Sequence, residues 1–107
     1  MKYDRTMDIQ CIPLCDALNG IKGIQTIESC CGHGITPFRI WFFAENLQVL
    51  PHVAYWFDRC HCGHNNWKII VRTDCGKSPV KFLIEGPCGE QAFEEANHIA
   101  QLILNDN

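Results

Sequence analysis

Two short segments concentrate the residue types that bind metals or act as nucleophiles. Cys30, Cys31 and His33 form a CC-x-H run, and Cys60, Cys62 and His64 form C-x-C-x-H. Zinc takes thiolate and imidazole in a tetrahedral shell, and its ligands usually arrive as close pairs from two loops. Gly32 and Gly34 in the first segment, and Gly63 in the second, permit the tight curvature such a shell needs. The expected ligands are Cys30, Cys60, Cys62 and His33 or His64, filled by zinc, with Cys15 or Cys88 nearby. Four protein ligands would make a structural shell, whereas three ligands and a water would permit hydrolysis. The spacings are not those of familiar zinc modules, so a second expectation stands beside the first. In it the cysteines are small apolar residues filling the core, and the histidines are exposed on loops. A third chemistry is nucleophilic. A Cys30 or Cys31 thiolate would be activated by His33 and by backbone N–H groups, with Glu28 or Asp58 orienting the imidazole.

The eight cysteines of this 107-residue chain do not read as a disulfide framework. Cys30 and Cys31 are adjacent, Cys60 and Cys62 are one residue apart, and Lys2, Asp4, Arg5 and Asp8 interrupt any export signal. The expected compartment is the reducing cytoplasm, with thiols free, buried or metal-bound. Length predicts one domain over residues 1–107, with 1–7 a loosely held tail. At 47% hydrophobic and 20% charged the chain is globular rather than disordered, and its net charge of −3 argues against a dominant phosphate-binding role. No apolar run approaches the ~20 residues of a membrane span, so no membrane association is expected.

The elements that must position these residues follow from periodicity. Residues 8–12 are a short strand or the start of a helix, and Pro13 suits a first helical turn. That helix runs through Leu14, Ala17 and Leu18 and stops at Asn19-Gly20. Strands are expected at Ile24–Ser29 and Phe38–Ala44. Asn46 can cap a helix carrying Leu50, Val53, Ala54 and Phe57 at helical spacing, either kinked at Pro51 or beginning there. Trp56 belongs to its core side, while His52, and His98 further on, are expected in solvent. Strands Trp67–Thr73 and Val80–Glu85 flank a connection at 74–79. A last helix places Phe93, Ala96, Ile99, Ala100 and Ile103 on one face. The order (β)αββαββα predicts an α+β two-layer sandwich, helices on an antiparallel sheet. With the optional first strand it would be ferredoxin-like, with an added strand and helix. Following chain direction through these elements puts every cysteine but Cys75 at one edge, together with His33, His61 and His64.

A resemblance enters at the same edge. Leu14, Asp16 and Asn19, followed by Thr26, Ser29, Cys30 and Gly32, resemble the Leu-Val-Asp-x-x-Asn…Thr-x-x-Ser-Cys-x-Gly-Arg opening of the wybutosine-synthesis family, with His33 standing where that family has Arg. The resemblance implies fold kinship with tRNA-modifying methyltransferases. It also implies an S-adenosylmethionine or nucleotide ligand at Ser29, Cys30, Cys31, Gly32, His33 and Gly34. The Ser29–His33 run is also similar to small bacterial and phage proteins carrying a Ser-Cys-x-Gly-His loop.

Strand alternation marks one further surface. Trp67, Ile69, Val71, Val80, Phe82 and Ile84 should face the helices with Phe38, Ile40 and Phe42. Arg39, Trp41 and Phe43, with Lys68, Ile70, Arg72, Lys81, Leu83 and Glu85, should then face outward. Such a face would bury itself in a homodimer, with the basic residues at its rim. Stacking of single-stranded nucleic acid is the weaker alternative. The function expected overall is a small cytoplasmic domain binding zinc or a small ligand at its Cys/His edge. The alternatives are a cofactor-binding relative of tRNA-modifying enzymes and a dimeric interaction module without catalysis.

Overall fold

Period-two alternation of apolar and polar side chains builds the sheet on which everything else rests. The computed structural model describes residues 8–59, 67–74 and 77–106. The expected tail at 1–7, the Cys60–His64 segment and Cys75 lie outside the described residues. Strands β1 (Ile24–Cys30), β2 (Pro37–Ala44), β3 (Lys68–Asp74) and β4 (Lys77–Cys88) form one antiparallel sheet in the order β1-β2-β4-β3. Phe38, Ile40 and Phe42 of β2 and Phe82 and Ile84 of β4 are buried on one face. Helices α1 (Ile12–Asn19), α2 (Leu50–Arg59) and α3 (Gly89–Asp106) cover that face. Their contributions to the shared core include Leu14 and Leu18, Val53 and Trp56, and Ala96, Ile99 and Ile103. The result is the expected two-layer α+β sandwich.

Residues 8–12 resolve to the helical option. A 3-10 turn at Ile9–Cys11 runs directly into α1, with Pro13 in its first turn. Cys11, Leu14, Cys15 and Leu18 all fall on the buried side at helical spacing, which a strand could not achieve. The ferredoxin-like arrangement, which required a strand here, is therefore not formed by the described residues.

Helix α1 ends at Asn19 as expected, but not through a left-handed glycine: Gly20 has φ −77°. Asn19 instead locks the helix end to β1. Its Nδ2 donates to Thr26 Oγ1 and its Oδ1 accepts from Thr26 N, both at 2.8 Å. Asn46 caps a 3-10 turn at Leu47–Val49 by accepting from Gln48 N, and α2 then begins at Leu50 with Pro51 in its first turn. Strand β4 begins earlier than alternation suggested, at Lys77. Pro79 is tolerated because the pairing of β4 with β2 begins only at Phe82.

Two apolar residues depart from the expected pattern. Val71 pairs with Phe82 on the helix side yet is 62% exposed on the edge strand β3, whose Ile69 packs against the core. Leu83 lies on the opposite face yet is buried. No helix among the described residues is long and apolar enough to cross a membrane.

Candidate metal centre

The end of β1 enters a turn that L-residues rarely make. Gly32, His33 and Gly34 are successively left-handed, with φ of 80°, 51° and 82°. Glycine is required at position 32, because a Cβ there would lie 3.0 Å from the Pro37 carbonyl oxygen. Gly32 O accepts from Ile35 N and Thr36 N at 2.9 and 3.0 Å, which closes the turn. For His33 the conformation costs about 1–2 kcal/mol. The turn keeps its ring exposed at the surface, over the buried Cys31.

Three ligand-type side chains converge here. Cys31 Sγ accepts from His33 N at 3.3 Å and lies 3.7 Å from His33 Nδ1. Asp8 Oδ2 accepts from Cys31 N at 2.9 Å and lies 3.9 Å from His33 Nε2. One ligand atom from each of Asp8, Cys31 and His33 falls within 4.8 Å of the other two. A tetrahedral zinc ion needs sulfur, nitrogen and oxygen ligands about 3.4–3.6 Å apart, so a contraction of roughly an ångström would close the group on an ion.

The electrostatics follow from the same contacts. The Cys31 N–H donated to Asp8 holds its carboxyl below the ordinary value, against the opposing effect of burial. Burial pushes the Cys31 thiol up, and the neighbouring Asp8 carboxylate pushes the same way. A thiol that is 3% exposed and held protonated is a poor nucleophile. Cys31, His33 and Asp8 therefore form a Cys-His-Asp line in geometry without an activated sulfur. A bound cation reverses this, because coordination deprotonates a thiol outright.

The group borders an open cleft of about 560 Å³, lined by Gln10, Cys31, His33, Gly34, Gly89, Glu90 and Phe93. Its far wall is the first turn of α3, brought close by the Gly34 carbonyl lying 4.0 Å from where a Gly89 Cβ would stand.

The residues read from sequence divide clearly. Cys31, His33 and Gly34 line the cleft, and Gly32 makes the turn. Ser29 faces the other way, hydrogen-bonded to the Cys11 and Cys15 thiols, whose burial pushes them up to about 12 and about 11. Those two cysteines fill the core, as the packing reading expects. Cys30 lies opposite Arg39 in the sheet and accepts from Gly32 N, so Cys31 rather than Cys30 stands beside His33. Cys88 is exposed, across from Pro37 at the same end of the sheet. Cys60, Cys62 and His64 lie outside the described residues. Asp8 occupies the place proposed for Glu28 or Asp58 beside the imidazole; Glu28 is on β1 opposite Trp41. Asp8, Gln10, Glu90 and Phe93 escaped sequence reasoning. No short spacing links Asp8 to a loop 23 residues away.

On the other face of the sheet, Arg39 Nε donates to Glu85 Oε2 at 3.0 Å and Lys68 Nζ lies 3.4 Å from Glu85 Oε1. These cations hold the Glu85 carboxyl below its ordinary value. Trp41 is across from Leu83, and Lys81 is across from Arg72.

In comparisons with protein-family models, with curated proteins and with solved structures, the chain matches none.

Proposed function

We propose that this domain binds one divalent zinc-class ion through Asp8, Cys31 and His33, with the cleft giving small molecules access to it. The convergence of those three ligand atoms, from the 3-10 entry to α1 and the β1–β2 turn, carries the reading. The donor set suits zinc: one thiolate, one imidazole and one carboxylate are its ordinary protein ligands. A fourth position falls to water or to Cys60, Cys62 or His64. Water would leave the ion available for hydrolytic chemistry, whereas a protein ligand would close a structural shell.

Elemental analysis of protein purified without added metal or a metal-affinity column tests this. About one zinc per chain is expected, lost in Cys31→Ser and in His33→Ala. Retention of zinc in Cys60→Ser, Cys62→Ser and His64→Ala would assign the open site, and its loss in any of them the closed shell. Metal-free protein that also fails to bind zinc on addition would refute the proposal. A second reading places S-adenosylmethionine or a nucleotide in the same cleft, and the cleft's size and its glycine walls at Gly34 and Gly89 favour it. Binding of S-adenosylmethionine that persists in chelator would support that reading over the first.

A further inference from the structure

The two walls of the cleft differ in chemistry. One is the ligand group with the turn at His33 and Gly34, and the other is Gly89, Glu90 and Phe93 from the start of α3. Gln10, from the 3-10 turn before α1, lines the cleft between them in sequence. The ligand group itself presents no net positive charge. In metal-free protein Asp8 keeps its carboxylate ionised against the Cys31 N–H. A divalent ion held by one thiolate, one carboxylate and one neutral imidazole leaves a sum of zero.

Glu90 then sets the sign of the cleft. It is exposed, and its carboxylate has no ion-pair partner among the described residues. The N-terminus of α3 contributes about half a positive charge, which a full carboxylate outweighs. Among the described residues, no lysine or arginine lines the cleft. Phe93, half-buried, supplies apolar surface. Next in the chain to Gln10 and Gly34 stand Ile9 and Ile35, both largely exposed. The cleft thus combines a free carboxylate, a side-chain amide and an aromatic residue.

We propose that this cleft binds a small primary amine with an apolar body, its ammonium held by Glu90 and its alkyl group against Phe93. This names the class of small molecule that the cleft admits, and so rests on the reading of the cleft as the approach to the metal centre. An ammonium donates charge-assisted hydrogen bonds to a carboxylate, and the Gln10 amide oxygen accepts another. The alkyl body gains by leaving water. An anion of the same shape meets the Glu90 carboxylate as a like charge.

Isopentylamine, isopentyl alcohol and isovalerate share a shape and differ in charge. Titration of the full chain, followed through the Gly34, Gly89 and Glu90 amides in nitrogen-15 NMR, should show saturable shifts with the amine at millimolar concentration. The alcohol should bind about tenfold more weakly, and isovalerate should not saturate. Glu90→Gln should weaken amine binding about tenfold. Glu94→Gln removes the same charge from an exposed position of α3 outside the cleft and should leave binding unchanged. Running each titration in chelator and with zinc separates this proposal from the metal centre. Amine binding by a chain that takes up no zinc would support the amine site and remove the metal centre. Zinc uptake without amine binding would overturn the amine site alone. Isovalerate binding as tightly as the amine, or an equal loss in Glu94→Gln and Glu90→Gln, would also overturn it.

Discussion

Replacing Asp8 separates a structural role from a metal-binding one. Asp8 accepts the N–H of Cys31, a residue only 3% exposed. In metal-free protein Asp8→Ala strands that donor and should cost about 1–3 kcal/mol. Asp8→Asn keeps a side-chain carbonyl to accept it and loses only the charge assistance, about 1 kcal/mol. For a domain this size that is a fall in Tm of roughly 4–8 °C. Zinc at a hundred times its Kd would stabilise the parent chain by about 2.7 kcal/mol, a rise of roughly 10–20 °C. If losing the carboxylate ligand weakens zinc about a hundredfold, the same zinc concentration yields only about 0.4 kcal/mol, or roughly 2–3 °C. Thermal denaturation of both chains, with chelator and with zinc, measures all four values. A full zinc shift in Asp8→Asn would show that Asp8 is not a ligand. An unshifted parent chain would remove the metal centre altogether.

Three further outcomes are expected. The Glu85 carboxyl is depressed in the folded state by Arg39 and Lys68, so its stabilisation is present above the unfolded carboxylate value and lost as pH falls through the folded value. Glu85→Gln should therefore flatten the acid limb of a stability-against-pH profile, and an unchanged limb would contradict the pairing. Gly86→Ala places a Cβ 2.6 Å from the Trp67 ring, which packs on Phe38 and Phe57 and donates from Nε1 to Glu95. Urea unfolding should show a loss of about 1–3 kcal/mol. Cys11 and Cys15, buried and with their thiols pushed up to about 12 and about 11, should resist alkylation at neutral pH until the protein unfolds, while exposed Cys88 reacts at once. Rapid labelling of Cys15 in folded protein would contradict the packing described for α1.

The sandwich was legible because its signals are local. Alternation through Phe38, Ile40 and Phe42 and helical spacing through Ala96, Ile99 and Ile103 each need only one element to be read. Chain direction then carried Cys31, His33 and Cys88 to one end of the sheet. Residues 8–12 were ambiguous because five residues satisfy either period, and docking of Cys11 and Cys15 into the core decided for the helix. Burial of Leu83 and exposure of Val71 were not legible, since alternation assigns a face without saying what covers it.

By itself, the sequence determined the element order, the antiparallel sheet with helices on one side, and the gathering of thiols and imidazole at one end. Those follow from periodicity and chain direction, which act over a few residues. Only the tertiary structure decided that Cys31 rather than Cys30 meets His33, that Ser29 turns inward to Cys11 and Cys15, and that Asp8 completes the group. The reason is geometric. A left-handed turn at 32–34 chooses which sulfur lies under the imidazole, and docking of the 3-10 entry to α1 brings a carboxylate across 23 residues of chain. Neither event leaves a mark on local spacing.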